Sequence, residues 1–145
     1  MTKEQLQEVA RMSAGEIREA FQSEDWDRTV ALYKKFMKLR ASAALRLEMG
    51  CLAARALAAA GNRRTAREVL KELGDSEYTK SLHYEFLARA YLDLKEYANA
   101  ARVSGRAEAL RAAEQQAAAT KSSRKSPGAA GARKEEAPAQ RQLAG

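Results

Sequence analysis

Both prolines of this 145-residue chain, Pro127 and Pro138, lie near its C-terminus. The long stretch before them holds no residue that breaks a helix by ring closure. Its apolar residues are mostly Ala and Leu, with few β-branched side chains. Ala and Leu lose little side-chain entropy in a helix. The chain is therefore expected to be all-α, and its length suits one compact domain.

Periodic apolar positions separate six helices. The first is expected over 3–22, with Leu6, Val9, Ala10, Ile17, Ala20 and Phe21 on one face. Ser23-Glu24-Asp25 interrupts it and offers N-caps for a second helix over 25–38. The third runs over 43–60 and stops at Gly61-Asn62, a C-cap and turn pair. The fourth covers 63–73, and Gly74-Asp75-Ser76 closes it and caps a fifth over 77–94. Lys95-Glu96 makes a short turn, and the sixth runs from Tyr97 to about 118. From Ala117 the composition turns small and polar, with Leu143 the one large apolar residue. Such a segment cannot offset the entropy of ordering. The organisation expected is a helical domain over 1–118 and a disordered basic tail over 119–145.

The formal charge is +7. Six Lys/Arg and two Glu put +4 of it in 119–145, leaving +3 over 1–118. That is not the concentrated stripe of a dedicated nucleic-acid binder. The single thiol, Cys51, has no partner for an internal disulfide, which fits a reducing compartment. Charges from Lys3 to Arg18 exclude a secretory apolar segment near the start, and no apolar run reaches membrane-spanning length. A cytoplasmic location is the expectation. The Ala/Arg-rich composition fits a bacterial chain of high-GC coding.

The helices repeat. Ala54 and Ala88 are 34 residues apart, as are Ala66 and Ala100. Tyr84-x2-Leu87-Ala88-x2-Tyr91 followed by Tyr97-x2-Ala100 resembles the tetratricopeptide-repeat (TPR) pattern. Ala53-Ala54-x2-Leu57, Gly61 and Ala66-x3-Leu70 match it more loosely, and Trp26-x2-Thr29-x3-Tyr33 carries the second helix of a first unit. Thr29 and Ala66 are 37 residues apart, so three extra residues are expected near 38–42. The proline that usually ends a TPR unit is missing, with Ala41, Tyr78 and Ala112 in its place. The resemblance implies a TPR-like α-α superhelix of three antiparallel helix pairs. An irregular helical bundle with coincidental spacing is the alternative.

The resemblance further implies a non-catalytic adaptor or small chaperone. Its partner protein or peptide would sit in a concave groove along the first helix of each pair. Carried onto this sequence, the lining is Arg11, Arg18, Phe21, Glu48, Cys51, Arg55, Ala58, Leu82, Glu85, Arg89 and Leu92. Arg18, Arg55 and Arg89 recur at the repeat spacing, and a row of guanidinium groups can read carboxylates bidentately. Solvated arginines, with Glu85 neutralising Arg89, are the alternative. Ala14, Cys51 and Glu85 stand where TPR domains that clamp chaperone C-termini carry Lys or Asn, which argues against that role. An open solenoid end also leaves room for a homodimer through the first helix or Phe21.

Other chemistry finds little support. His83 and Cys51 are the only such pair, and surface and packing roles suit them better than a catalytic dyad. A zinc site needs about four N/S ligands. No phosphate-loop, dinucleotide or metalloprotease string occurs. No cofactor, metal or small-molecule substrate is expected. Lys121, Arg124, Lys125, Arg133 and Lys134 make the tail basic, and nucleic acid or an acidic surface could meet it there. A solubilising tail is the plainer reading, since no aromatic residue is present to stack bases. Trp26 and Tyr78 are large residues suited to packing or to partner contact.

Overall fold

In a computed structural model, residues 2–125 are described, with side chains through Lys121. Among them are six helices and no strand: α1 (Lys3–Gln22), α2 (Trp26–Phe36), α3 (Ala43–Ala59), α4 (Arg63–Gly74), α5 (Ser81–Asp93) and α6 (Tyr97–Lys125). No helix among the described residues is long and apolar enough to cross a membrane.

Helix starts follow local side-chain chemistry. Thr2 and Gln5 form a reciprocal capping box at α1. Asp25, Ser42 and Asn62 accept backbone N–H groups at α2, α3 and α4. The fifth helix departs from expectation. It begins at Ser81 rather than 77, and its N-cap Lys80 makes no side-chain cap bond. The preceding segment is tied down elsewhere. The Tyr78 N–H donates to Tyr84 Oη at 3.1 Å, and Tyr78 Oη donates to the Leu73 carbonyl at 2.6 Å.

The turns from α1 to α2, from α3 to α4 and from α5 to α6 are built alike. Glu24, Gly61 and Lys95 take positive φ of 59°, 91° and 60°. Each donates its N–H back to the residue three earlier: Phe21, Ala58 and Leu92. The next residues, Asp25, Asn62 and Glu96, donate to Ala20, Leu57 and Tyr91. This is the Schellman arrangement three times over. The same three residues then accept the first bonds of the following helix, from Thr29, Ala66 and Ala100. The intervals from 24 to 61 and from 61 to 95 are 37 and 34, the spacings read from the sequence.

Packing follows the same register within the compact unit Met1–Ala109. Helix α1 packs on α2 and α3, α2 on α3, α3 on α4 and α5, and α4 on α5. Helices α1, α3 and α5 bury Ile17, Ala54 and Ala88 at one level of the repeat spacing and Ala20, Leu57 and Tyr91 at another. Helices α2, α4 and α6 bury Thr29, Ala66 and Ala100. Gly50 occupies the level of Tyr84. A Cβ there would lie 2.6 Å from Leu73 Cδ1 and 3.2 Å from Tyr33 Oη, so those two side chains fill the space of the missing aromatic. Arg106 lies 5.0 Å over the Tyr84 ring.

The extra residues are not in the turn near 38–42. The loops 37–42 and 75–80 are equal in length, whereas α3 starts 18 residues before its turn residue Gly61 and α5 only 14 before Lys95. The insertion is an added N-terminal turn of α3, capped by Ser42. It is steadied by Arg46, whose guanidinium donates to the Leu39 carbonyl at 2.9 Å.

The second unit is Leu110–Gly145. Its described residues continue α6 past the expected end at 118 to Lys125, with exposed side chains from Arg111 to Lys121. The sequence holds no helix breaker until Pro127. The rest of the expected tail, 126–145, lies outside the described residues.

Candidate functional site

The face shared by α1, α3 and α5 carries most of the residues expected to line a groove. It is organised by ion pairs that run from one helix to the next. Arg18 on α1 bonds Glu48 on α3 through both Nε and Nη2, at 2.8 and 3.0 Å. Arg55 on α3 bonds Asp93 on α5 at 2.6 Å. Arg89 lies 3.8 Å from the other oxygen of Asp93. The Arg55 guanidinium also sits 4.7 Å over the ring of Phe21, which meets Trp26 edge-on at 5.4 Å. One path, Phe21–Arg55–Asp93–Arg89, therefore touches all three helices.

The three guanidinium groups of the expected row are thus engaged within the chain, and to different degrees. The Arg18 hydrogen bonds to Glu48 raise its pKa further, so it stays charged. The Arg55 side chain is only 22% exposed, whereas that of Arg89 is 65% exposed and its contact is long. Asp93 thus draws on both Arg55 and Arg89, and Glu85 lies exposed on the same helix as Arg89. Arg11 pairs with Glu8 at 2.7 Å on the exposed surface of α1. Arg11 and Glu48 also line a hollow of about 430 Å³ with Gln7, Arg40, Ser42 and Leu45.

Burial removes one expected lining residue. Cys51 is 2% exposed, and burial pushes its thiol from an ordinary 9.0 up to about 12. It lies inside the helical core and stays protonated, which suits neither a groove contact nor a nucleophile. Ala58 is half-buried. Leu82 and Leu92 stand out, 52% and 47% exposed, on the α5 stripe that also bears Glu85 and Arg89. His83 packs its ring against Tyr78 at 5.5 Å, and its Nδ1 is buried with no hydrogen-bond partner. Trp26 and Tyr78 both serve internal packing. No cluster of three or more His, Cys, Asp or Glu suited to a metal ion occurs among the described residues.

Sequence reasoning misses Asp93 altogether. It also misses a hollow of about 390 Å³ bounded by Arg67, Lys71, Asp75, Tyr91, Asn99 and Arg102. Nothing in helical periodicity marks Asp93, because its partner Arg55 is 38 residues away and on another helix. Comparison with protein-family models, curated protein sequences and solved structures yields no match.

Proposed function

We propose that this chain is a TPR-like helical repeat that binds a segment of a partner protein, without catalysis, on the face formed by α1, α3 and α5. The observation that carries this reading is the exposed stripe of α5. Leu82, Glu85, Arg89 and Leu92 follow i, i+3, i+7, i+10 spacing, with two exposed leucines flanking the most exposed guanidinium of the face. At 1.5 Å per residue the leucines are about 15 Å apart. A partner segment with two apolar side chains and a carboxylate between them matches that layout.

The ion pairs divide the labour among the arginines. Arg18 and Arg55 are committed to Glu48 and Asp93 and hold the face in register. Arg89 holds Asp93 only loosely, and exposed pairs are worth about 0–1 kcal/mol. It can exchange Asp93 for an incoming carboxylate at little cost. The identical turns and repeated burial levels support the repeat reading, and the buried, protonated Cys51 supports a non-catalytic one.

A photo-crosslinking amino acid placed at Leu82 or Leu92, in cells that make the protein, tests the proposal. Both positions are expected to capture the same protein, and Arg89→Glu is expected to abolish capture. Equal capture from Glu68 on α4 would sink the reading.

A further inference from the structure

We propose that the outward side of α2 and the turn after it dock on the phosphate backbone of duplex nucleic acid, independently of base sequence. The basis is the distribution of unpaired cations. On the α1/α3/α5 face, Arg11, Arg18, Arg55 and Arg89 each meet a carboxylate. Arg28, Lys34, Lys35, Lys38 and Arg40 are all exposed and take part in none of the ion pairs among the described residues. With Asp27 the single acid in 26–40, five cations and one acid give this short segment +4, as much as the whole tail over 119–145. Sequence alone draws the eye to the tail, because helical periodicity does not reveal which arginines are neutralised from other helices.

The helix dipole accounts for part of the cluster. Lys34 and Lys35 lie in the last turn of α2, where cations are favoured. That effect fades within one turn, so it explains neither Arg28, six residues upstream of Lys34, nor Arg40 beyond the helix end. Lys38 likewise lies beyond the helix end, in the turn after Met37. The fold gains little from these groups together.

The residue types select the partner. Lysine is depleted in protein–protein interfaces, whereas it is a common phosphate ligand acting as a point charge. Met37, 36% exposed, is the one exposed large apolar residue adjoining the patch. That is too little for the apolar face with which an interfacial helix enters a bilayer. The aromatics of α2 are unavailable for base stacking. Trp26 packs on Phe21, and Tyr33 stacks on Phe36. Without stacking, backbone charge is what remains to be read, and a duplex presents it most densely. Along α2 from Arg28 to Lys35 the patch spans about 10 Å.

The test uses the full chain and a fluorescently labelled random-sequence DNA duplex of about 20 base pairs, followed by anisotropy across a salt series. One variant combines Lys34→Gln, Lys35→Gln, Lys38→Gln and Arg40→Gln. A charge-matched variant combines Lys121→Gln, Arg124→Gln, Lys125→Gln and Arg133→Gln. The first is expected to weaken binding about tenfold or more at about 100 mM salt. It should also flatten the slope of log K against log salt by about 3. The second is expected to stay within about threefold of the parent, and Lys→Arg exchange at 34, 35 and 38 should retain binding. Equal losses in the two charge-matched variants would overturn the proposal by showing a net-charge effect alone. No duplex binding by the parent at about 50 mM salt would also overturn it. So would α2-dependent binding confined to phosphatidylserine vesicles.

Discussion

Glu24, Gly61 and Lys95 perform the same task with different side chains. Each sits at positive φ in a turn that closes one helix and opens the next. A Cβ is costly in that conformation, whereas glycine adopts it freely. Gly61→Ala is expected to destabilise the protein by about 1 kcal/mol, and Glu24→Gly or Lys95→Gly to stabilise it by about 0.5 kcal/mol. The gain is smaller because glycine also frees the unfolded chain. Urea unfolding of the three variants checks the signs. A loss on Lys95→Gly would mean that its side chain does more than fill a turn.

Gly50 poses a different residue-scale contest. Alanine there gains about 1 kcal/mol of helix propensity but brings a methyl to 2.6 Å from Leu73 Cδ1. Leu73 Cδ1 is the end of a rotatable side chain, so the two effects oppose each other, and Gly50→Ala is expected to be near neutral. Gly50→Leu has no such escape, since Tyr33 Oη and both Leu73 methyls crowd the site, and it is expected to cost about 1–3 kcal/mol. Chemical denaturation separates the two.

Among the elements, the ion-pair ladder makes the clearest prediction. Arg55 and Asp93 are both partly shielded, and Arg55 also covers Phe21. A double-mutant cycle with Arg55→Ala and Asp93→Ala is expected to show coupling of about 0.5–1.5 kcal/mol. For Arg18 and Glu48 the coupling is expected at under about 1 kcal/mol, because Arg18 is 44% exposed. Couplings indistinguishable from zero would remove the ladder as the device that aligns α1, α3 and α5.

Helix number, most helix ends and the 34- and 37-residue register are legible in the sequence, because they rest on periodicity and caps that lie close together along the chain. The start of α5 is not. It depends on Tyr78 reaching both Leu73 and Tyr84, contacts that periodicity does not encode. The start of α3 at Ala43 is legible, but the three extra residues are assigned to the turn near 38–42 because the 37-residue spacing counts them without saying which element holds them. The spacing of Arg18, Arg55 and Arg89 is silent about their pairing, since Glu48 and Asp93 lie 30 and 38 residues from Arg18 and Arg55.

For the molecule as a whole, burial sets the response to alkaline pH. Cys51, Tyr33, Tyr78 and Tyr91 all have raised pKa values, in each case chiefly because burial disfavours the anion. An acid whose pKa is raised on folding binds its proton more tightly in the native state. Stability is therefore complete below the unfolded pKa and declines as pH rises towards the folded one. For Cys51 that window runs from 9.0 to about 12, and the three tyrosines add to the same slope from about 10 upward. The free energy of unfolding is expected to fall steadily above about pH 9, with the native thiol resisting iodoacetamide until the chain opens. Cys51→Ala is expected to lower stability at about pH 8 through lost packing, yet to make its decline above about pH 9 shallower. Urea titrations of both proteins at several pH values check this. An unchanged slope in Cys51→Ala, or prompt alkylation of the folded protein, would place the thiol at the surface and return Cys51 to the lining of the α1/α3/α5 face.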